Sequence, residues 1–174
     1  MILMTVINSL KNFMNYKNIV GNKSDFAIQY EINNFYYPFV YGKFCYYINN
    51  IQIGNYEEDV TFNDLLCTFK DILYFKDLRV NEQVFNLNAK DFLNSRSVEN
   101  DFYVNLIITP LIDIFFNVEV YLVEYKNKAR FIIQDLENNI EFDYFSKAGV
   151  FNEVFNTIYI ELNDYFDKFI EQKG

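Results

Sequence analysis

Histidine is absent from all 174 residues of this chain, and that absence limits the chemistry it can perform. Histidine is the commonest general base near neutral pH and the commonest metal ligand, so Ser-His and Cys-His nucleophiles and histidine-ligated metal centres are excluded. The two cysteines, Cys45 and Cys67, lack the spacing of a metal site, and we expect both to be reduced and packed as small apolar side chains. A disulfide between them stays open, because it requires Cα atoms within about 7 Å.

Carboxylates are the remaining groups that could carry catalysis. Glycoside hydrolysis needs only two acids, and Glu141 and Asp143 share one face of a predicted strand. Same-face acids on a strand are usually a solvated edge, so we expect no catalytic residues. The acids are too scattered for an all-carboxylate magnesium site, and the sequence has no glycine-rich phosphate loop or Gly-x-Ser-x-Gly elbow. We therefore expect a binding protein without cofactor or metal, and not an enzyme.

The net charge of the chain limits the kinds of partner that it can bind. The chain has 24 Asp and Glu against 15 Lys and Arg, a formal net charge of −9. Such a chain is unsuited to nucleic-acid phosphates and to anionic membranes, so we expect neither as a partner. It would attract basic proteins, although solubility alone explains the same charge equally well. The sequence shows neither a secretory signal nor a long apolar run, which predicts a cytoplasmic protein.

Three groups of acids could form a docking surface for a basic protein: one before the first predicted helix, one in the last hairpin and one on the last helix. For each group, a solvated charged surface is the plainer explanation. An exposed tyrosine beside the acids would act as an anchor, because tyrosine is enriched in interface cores. The candidate partner-binding residues are Tyr56, Glu57, Glu58, Asp59, Glu137, Glu141, Asp143, Glu161, Asp164 and Asp167.

Apolar periodicity predicts the elements that position these residues. Alternation predicts a strand over 26–32, ended by two asparagines, and a second strand that reaches a tight turn at Asn49 and Asn50. Apolar residues three and four apart predict a helix from Phe62 to Leu73. Thr61 and Asp64 would cap it in an arrangement like a capping box.

The second half of the chain predicts a further sheet and a terminal helix. Residues 80–100 predict a long connection with a short strand or helical turn. The strands predicted after it form an antiparallel meander, and a helix covers 149–171. The strand segments are 102–108, 116–125, 129–135 and 140–145.

These elements define an α+β fold, in which an antiparallel sheet, formed by a hairpin and a C-terminal meander, packs against an internal helix and a C-terminal helix. Residues 1–18 are predicted to be an N-terminal arm or a short helix, and residues 19–174 a single domain.

Residues 19–32 form an apolar pair, a turn centred on Gly21 and a Phe-Ala-Ile strand. Four later segments accompany this opening: Tyr41-Gly42-Lys43-Phe44, residues 48–54, Ala129-Arg130-Phe131-Ile132 and Gly149-Val150-Phe151. Together they resemble one family of bacterial immunity proteins, immunity protein 42, and the resemblance covers about residues 19–171.

The resemblance implies a role in a polymorphic toxin system. An immunity protein of this kind stays in the cytoplasm of the producing cell and neutralises a cognate toxin domain by stoichiometric occlusion. The acidic balance suits a basic toxin such as a nuclease, whose substrate-binding face is positive, while other toxin chemistries stay open. The alternative is a non-toxin adaptor or regulatory module, which predicts a stable complex with a partner that is harmless when expressed alone. Self-association stays open at this point.

Overall fold

The computed structural model describes residues 16–95, 101–138 and 140–171. Within these ranges eight strands and five α-helices form the predicted α+β fold. The strands are β1 (Tyr16–Gly21), β2 (Phe26–Tyr36), β3 (Phe39–Ile48), β4 (Ile51–Ile53), β5 (Val60–Thr61), β6 (Val118–Tyr125), β7 (Lys128–Asp135) and β8 (Ile140–Lys147). The α-helices are α1 (Phe62–Tyr74), α2 (Glu82–Phe85), α3 (Ala89–Ser95), α4 (Asp101–Val104) and α5 (Val150–Glu171), and 3-10 turns occupy Lys76–Arg79 and Asp113–Phe115.

The first sheet is antiparallel, with strand order β1-β2-β3-β4 and the short β5 also paired to β3. Asn49 and Asn50 have φ values of 50° and 64°, which confirms the predicted tight turn between β3 and β4. Strand β2 runs beyond its predicted end at Ile32, through a bulge, to the pair Tyr36↔Phe39. The bulge carries the strand past the asparagines that were predicted to end it.

The second sheet is the predicted meander, with order β6-β7-β8. Its two faces have different neighbours. Leu122 and Phe131 project into the central core, which the first sheet and helices α1 and α5 complete. Tyr121 and Ile132 project to the other side, where helices α2–α4 cover them in a separate apolar cluster.

Aromatic rings join the layers of the central core. Phe26 of the first sheet stacks on Phe131 of the second, with ring centroids 5.5 Å apart and an interplanar angle of 10°. The ring centroids of Phe69 in α1 and Phe155 in α5 lie 4.3 Å apart. Both helices were predicted from apolar residues three and four apart, and both are confirmed, because these residues form the buried side of each helix.

The strand predicted over 102–108 is wrong. This segment begins as helix α4 and continues irregularly, with one isolated bridge between Ile107 and Tyr121. Tyr103 and Leu106 are three residues apart, as on one side of a helix, and both pack in the cluster over the second sheet. A short apolar run is compatible with the period of a strand and with that of a helix. Here burial against the second sheet decides between the two.

The connection predicted over 80–100 contains helices α2 and α3 in its described part, and so is more helical than expected. Residues 16–18, predicted to belong to an arm or a short helix, are in strand β1 because they pair with β2. The rest of that prediction, over 1–15, lies outside the described residues.

Two side-chain predictions need correction. Cys45 is buried as expected, but Cys67 is exposed on α1 instead of packed, because it lies off the apolar side of the helix. Thr61 stands at the N-cap of α1, yet its side chain accepts no backbone hydrogen bond there. Its hydroxyl instead donates to the carboxylate of Asp64, so the two side chains bond to each other.

Candidate functional site

A loop over residues 109–117, the ridge loop, leads into strand β6 of the second sheet. Some of its side chains are buried and others point outward. Ile114 and Phe115 are buried, and the Phe115 ring lies 5.1 Å from that of Tyr46. Leu111 and Phe116 project outward and are 90% and 80% exposed. Large apolar side chains this exposed at one place are typical of interaction sites.

Three hydrogen bonds hold the ridge loop and the segment before it. The buried Tyr46 hydroxyl donates to the Ile108 carbonyl at 2.8 Å, and the Ile108 N–H donates to the Val120 carbonyl at 2.8 Å. The Asn55 N–H donates to the Ile114 carbonyl at 2.9 Å, which ties the loop to the segment after β4. Burial raises the pKa of Tyr46 well above its ordinary value, so its hydroxyl stays a donor. The outward side chains therefore stand on a fixed backbone.

Acidic side chains surround the ridge loop. Four grooves adjoin it. Three of them, of about 590, 270 and 260 Å³, share Asp113, and no lysine or arginine is among the described residues that line these three. The fourth, of about 160 Å³, is lined by Asp71 and by the buried Arg79. We call the surface formed by the seven carboxylates that line the three grooves sharing Asp113 the acidic face: Glu58, Asp59, Asp64, Asp113, Glu119, Asp135 and Glu137.

Uncharged donors position several carboxylates of the acidic face. The side-chain amide of Asn55 donates to Glu58 at 2.7 Å, and that of Asn138 donates to Asp135 at 2.9 Å. The Asn138 side-chain amide and its backbone N–H hold the pKa of Asp135 below its ordinary value. Amide donors orient a carboxylate without neutralising it. The face thus presents negative charge that a cationic surface can compensate.

The first predicted group of acids lies partly on this face. Glu58 and Asp59 line its grooves. Glu57 is exposed and pairs with Lys43 at 3.5 Å. Tyr56, predicted as an exposed anchor, is half-buried, and its hydroxyl donates to Glu31 at 3.4 Å. Burial is the main cause of the raised pKa of Tyr56.

The second predicted group is divided between two places. Glu137 lines the same groove as Glu58, although 79 positions separate them in sequence. Glu141 is exposed on β8, on the side of the second sheet that faces away from the central core. Asp143 accepts hydrogen bonds from Nε and Nη2 of the buried Arg130, the first at 3.0 Å, and so compensates a charge of its own chain.

The third predicted group lies on α5 and lines none of these grooves. Glu161 is half-buried and accepts a hydrogen bond from the Tyr30 hydroxyl at 2.7 Å, which ties α5 to β2. Asp164 and Asp167 are exposed on the helix. The structure therefore brings only three predicted acids, Glu58, Asp59 and Glu137, to the acidic face.

Sequence reasoning missed the centre of the site. Leu111 and Asp113 fell between two predicted strands, and Phe116 was assigned to the start of one of them. Pro110 was the available signal, because a proline there ends any strand before it. The other acids that were not predicted as partner-binding residues are Asp64, Glu119 and Asp135.

The described part of the chain offers no group of three side chains that could hold a metal ion. None of the helices in that part is long and apolar enough to span a membrane. The chemistry that the acidic face can perform is electrostatic and apolar recognition.

Residues 19–165 match the model of the immunity protein 42 family. The crystal structure of CdiI from Burkholderia dolosa AUO158 is similar to this chain, with a TM-score of 0.67 and 17% sequence identity. The similarity covers 83% of this chain and 99% of that one, and at this identity it shows the fold alone. No curated protein matches the chain.

Proposed function

The chain belongs to the immunity protein 42 family, and we propose that this toxin-neutralising protein binds its cognate toxin on the acidic face. The observation that carries the proposal is the set of seven carboxylates around two exposed apolar side chains, with no cation among the described residues that line the three grooves sharing Asp113. An apolar centre with a polar rim is the usual anatomy of a protein interface. Leu111 and Phe116 supply that centre, and the acids supply the rim.

The toxin surface that fits this face is basic. Opposite charges accelerate association and select the partner, and a cluster of one sign excludes other acidic proteins. A nuclease suits these terms, because its substrate-binding surface must be positive. An interface of about 1,600 Å² in total is enough to cover such a surface. The protein would then inhibit by stoichiometric occlusion, without catalysis, in the cytoplasm of the cell that makes the toxin.

The proposal requires a toxic domain encoded beside this chain's gene, and the first experiment is co-expression with that domain. Growth should be rescued by the unaltered chain. If the toxic domain kills equally with and without it, neutralisation of that domain is refuted. The association rate of the purified pair should fall steeply between about 50 and about 500 mM salt, with a smaller change in dissociation. A rate that does not depend on salt would leave solubility as the only explanation of the charge.

Two triple variants with equal changes of net charge test whether the toxin binds the acidic face or another acidic surface. Glu58→Gln, Asp113→Asn and Glu137→Gln together should lower the affinity by about 10-fold to 100-fold. The control combines three exposed acids of α5, Glu153→Gln, Asp164→Asn and Asp167→Asn, and should change the affinity by less than about threefold. A larger loss in the control would move the docking surface to α5.

A further inference from the structure

Three exposed aromatic side chains crowd the turn between β2 and β3. Tyr36, Tyr37 and Phe39, which we call the aromatic tip, are 69%, 63% and 45% exposed. The Tyr36 ring lies 6.0 Å from that of Tyr41, and the Phe39 ring lies 6.4 Å from it. Single exposed apolar residues are ordinary, but adjacent exposed rings on one hairpin form a patch that is costly to leave in water.

Hydrogen bonds hold the backbone of the hairpin that carries the aromatic tip. The Val40 N–H donates to the side-chain oxygen of Asn63 at 3.0 Å, and the Asn63 amide nitrogen donates to the Pro38 carbonyl at 3.2 Å. Asn63 belongs to the first turn of α1, so these two bonds clamp the hairpin to that helix. Rigid aromatic side chains lose little conformational entropy when a partner covers them, which makes them efficient anchors.

The first turn of α1 connects the aromatic tip to the acidic face. Asp64 follows the clamping residue Asn63 directly and lines one groove together with Leu111 of the ridge loop. Asp59, in the same groove, accepts a hydrogen bond from Asn33 of β2 at 3.5 Å. A surface that carries both exposed aromatic rings and carboxylates favours one class of group above others, the guanidinium of arginine. It stacks on a ring face and donates to a carboxylate at the same time.

We propose that the aromatic tip is a second contact with the toxin, in which arginine side chains stack on its rings while the adjoining carboxylates bind their N–H groups. This inference rests on the proposed function, because it assumes a basic toxin on the acidic face. It adds an anchor on β2 and β3, outside the grooves, and specifies arginine as the partner residue.

The chain has no tryptophan, so a single introduced tryptophan reports on one position. Tyr36→Trp places the fluorophore at the tip. Tyr74→Trp is the matched control, because Tyr74 is 80% exposed at the far end of α1, about 15 Å along the helix axis from Asp64. On titration with the toxin domain encoded beside the gene, quenching by neutral acrylamide should fall severalfold for the tip variant and stay unchanged for the control.

Affinity measurements test the chemistry of the contact. Tyr36→Phe keeps the ring and should bind within about twofold of the unaltered chain, whereas Tyr36→Leu keeps apolar bulk alone and should bind about 3-fold to 30-fold more weakly. Equal affinities for the two variants would overturn the stacking. Toxin that binds while the tip tryptophan stays fully quenchable would overturn the second contact and leave the proposed function standing.

Two further outcomes also decide against the contact. If the toxin domain fails to bind any form of the chain, the proposed function and this inference are both refuted. If the tip tryptophan becomes protected without toxin as protein concentration rises, and the chain elutes as a dimer, a second copy occupies the tip and the arginine contact is wrong.

Discussion

Replacing Phe116 by alanine tests whether the ridge loop is the apolar centre of the toxin interface. A phenylalanine side chain buries about 150–250 Å² when fully covered. Phe116 is 80% exposed in the free chain, so about 160 Å² is available to a partner. At about 25 cal/mol per Å², covering this area contributes at most about 4 kcal/mol. Because binding does not recover all of that, we expect a loss of about 2–3 kcal/mol, or about 30-fold to 200-fold in affinity.

The assay is calorimetric or optical titration of Phe116→Ala with the toxin domain, next to a control of equal exposure. Tyr74→Ala provides that control, since Tyr74 is also 80% exposed but lies at the end of α1 remote from the acidic face. Both changes are at the surface, so each should alter the free energy of unfolding by less than about 0.5 kcal/mol. The reasoning fails if Phe116→Ala costs less than about threefold in affinity, or if both variants lose affinity equally.

Three other substitutions test the supports of the site. Tyr46→Phe leaves the buried Ile108 carbonyl without its donor and should lower the free energy of unfolding by about 1–3 kcal/mol, measured by urea denaturation. Asp143→Asn removes the counter-charge of Arg130, and because Asp143 is 31% exposed we expect a loss of about 1–3 kcal/mol, with toxin affinity unchanged. The pKa of Asp135 is lowered in the fold, so its carboxylate stabilises the native state above its unfolded pKa of about 3.9 and ceases to do so as pH falls through the folded value. Asp135→Asn should therefore be less stable than the unaltered chain at pH 7, and this difference should shrink in acid denaturation profiles taken at lower pH.

The parts of the fold that the sequence predicts correctly are those whose patterns involve residues close together in the chain. The stripes of α1 and α5 repeat at the period of a helix because one side of each helix is buried. The turn at Asn49 and Asn50 is predictable because asparagine tolerates positive φ. The prediction for residues 102–108 was wrong for the opposite reason, since a short apolar run fits a strand or a helix. Its contact with the second sheet decides which of the two forms.

The sequence predicts the charge of the candidate site but not its location in the fold. The acidic composition suits a basic partner, and Glu58, Asp59 and Glu137 are among the candidate residues. Their meeting with Asp113 depends on how the two sheets approach each other, and no local pattern encodes that approach. The same limit applies to Phe116, because exposure of an apolar residue at the end of a strand follows from its neighbours in space.

Composition explains the negative net charge equally well by solubility and by docking of a basic partner. The arrangement of the acids in the fold helps to distinguish these two explanations. Solubility requires only net charge, so it favours acids and bases interspersed over the surface. Nine charged residues drawn at random from 24 acids and 15 bases would include about three or four bases, whereas the described lining of the four grooves has eight acids and one base, the buried Arg79. Like charges gathered around two exposed apolar side chains cost stability in the free chain through repulsion and hydration. A cationic partner that covers them would remove both costs, which supports the proposal that the acidic face is a binding surface.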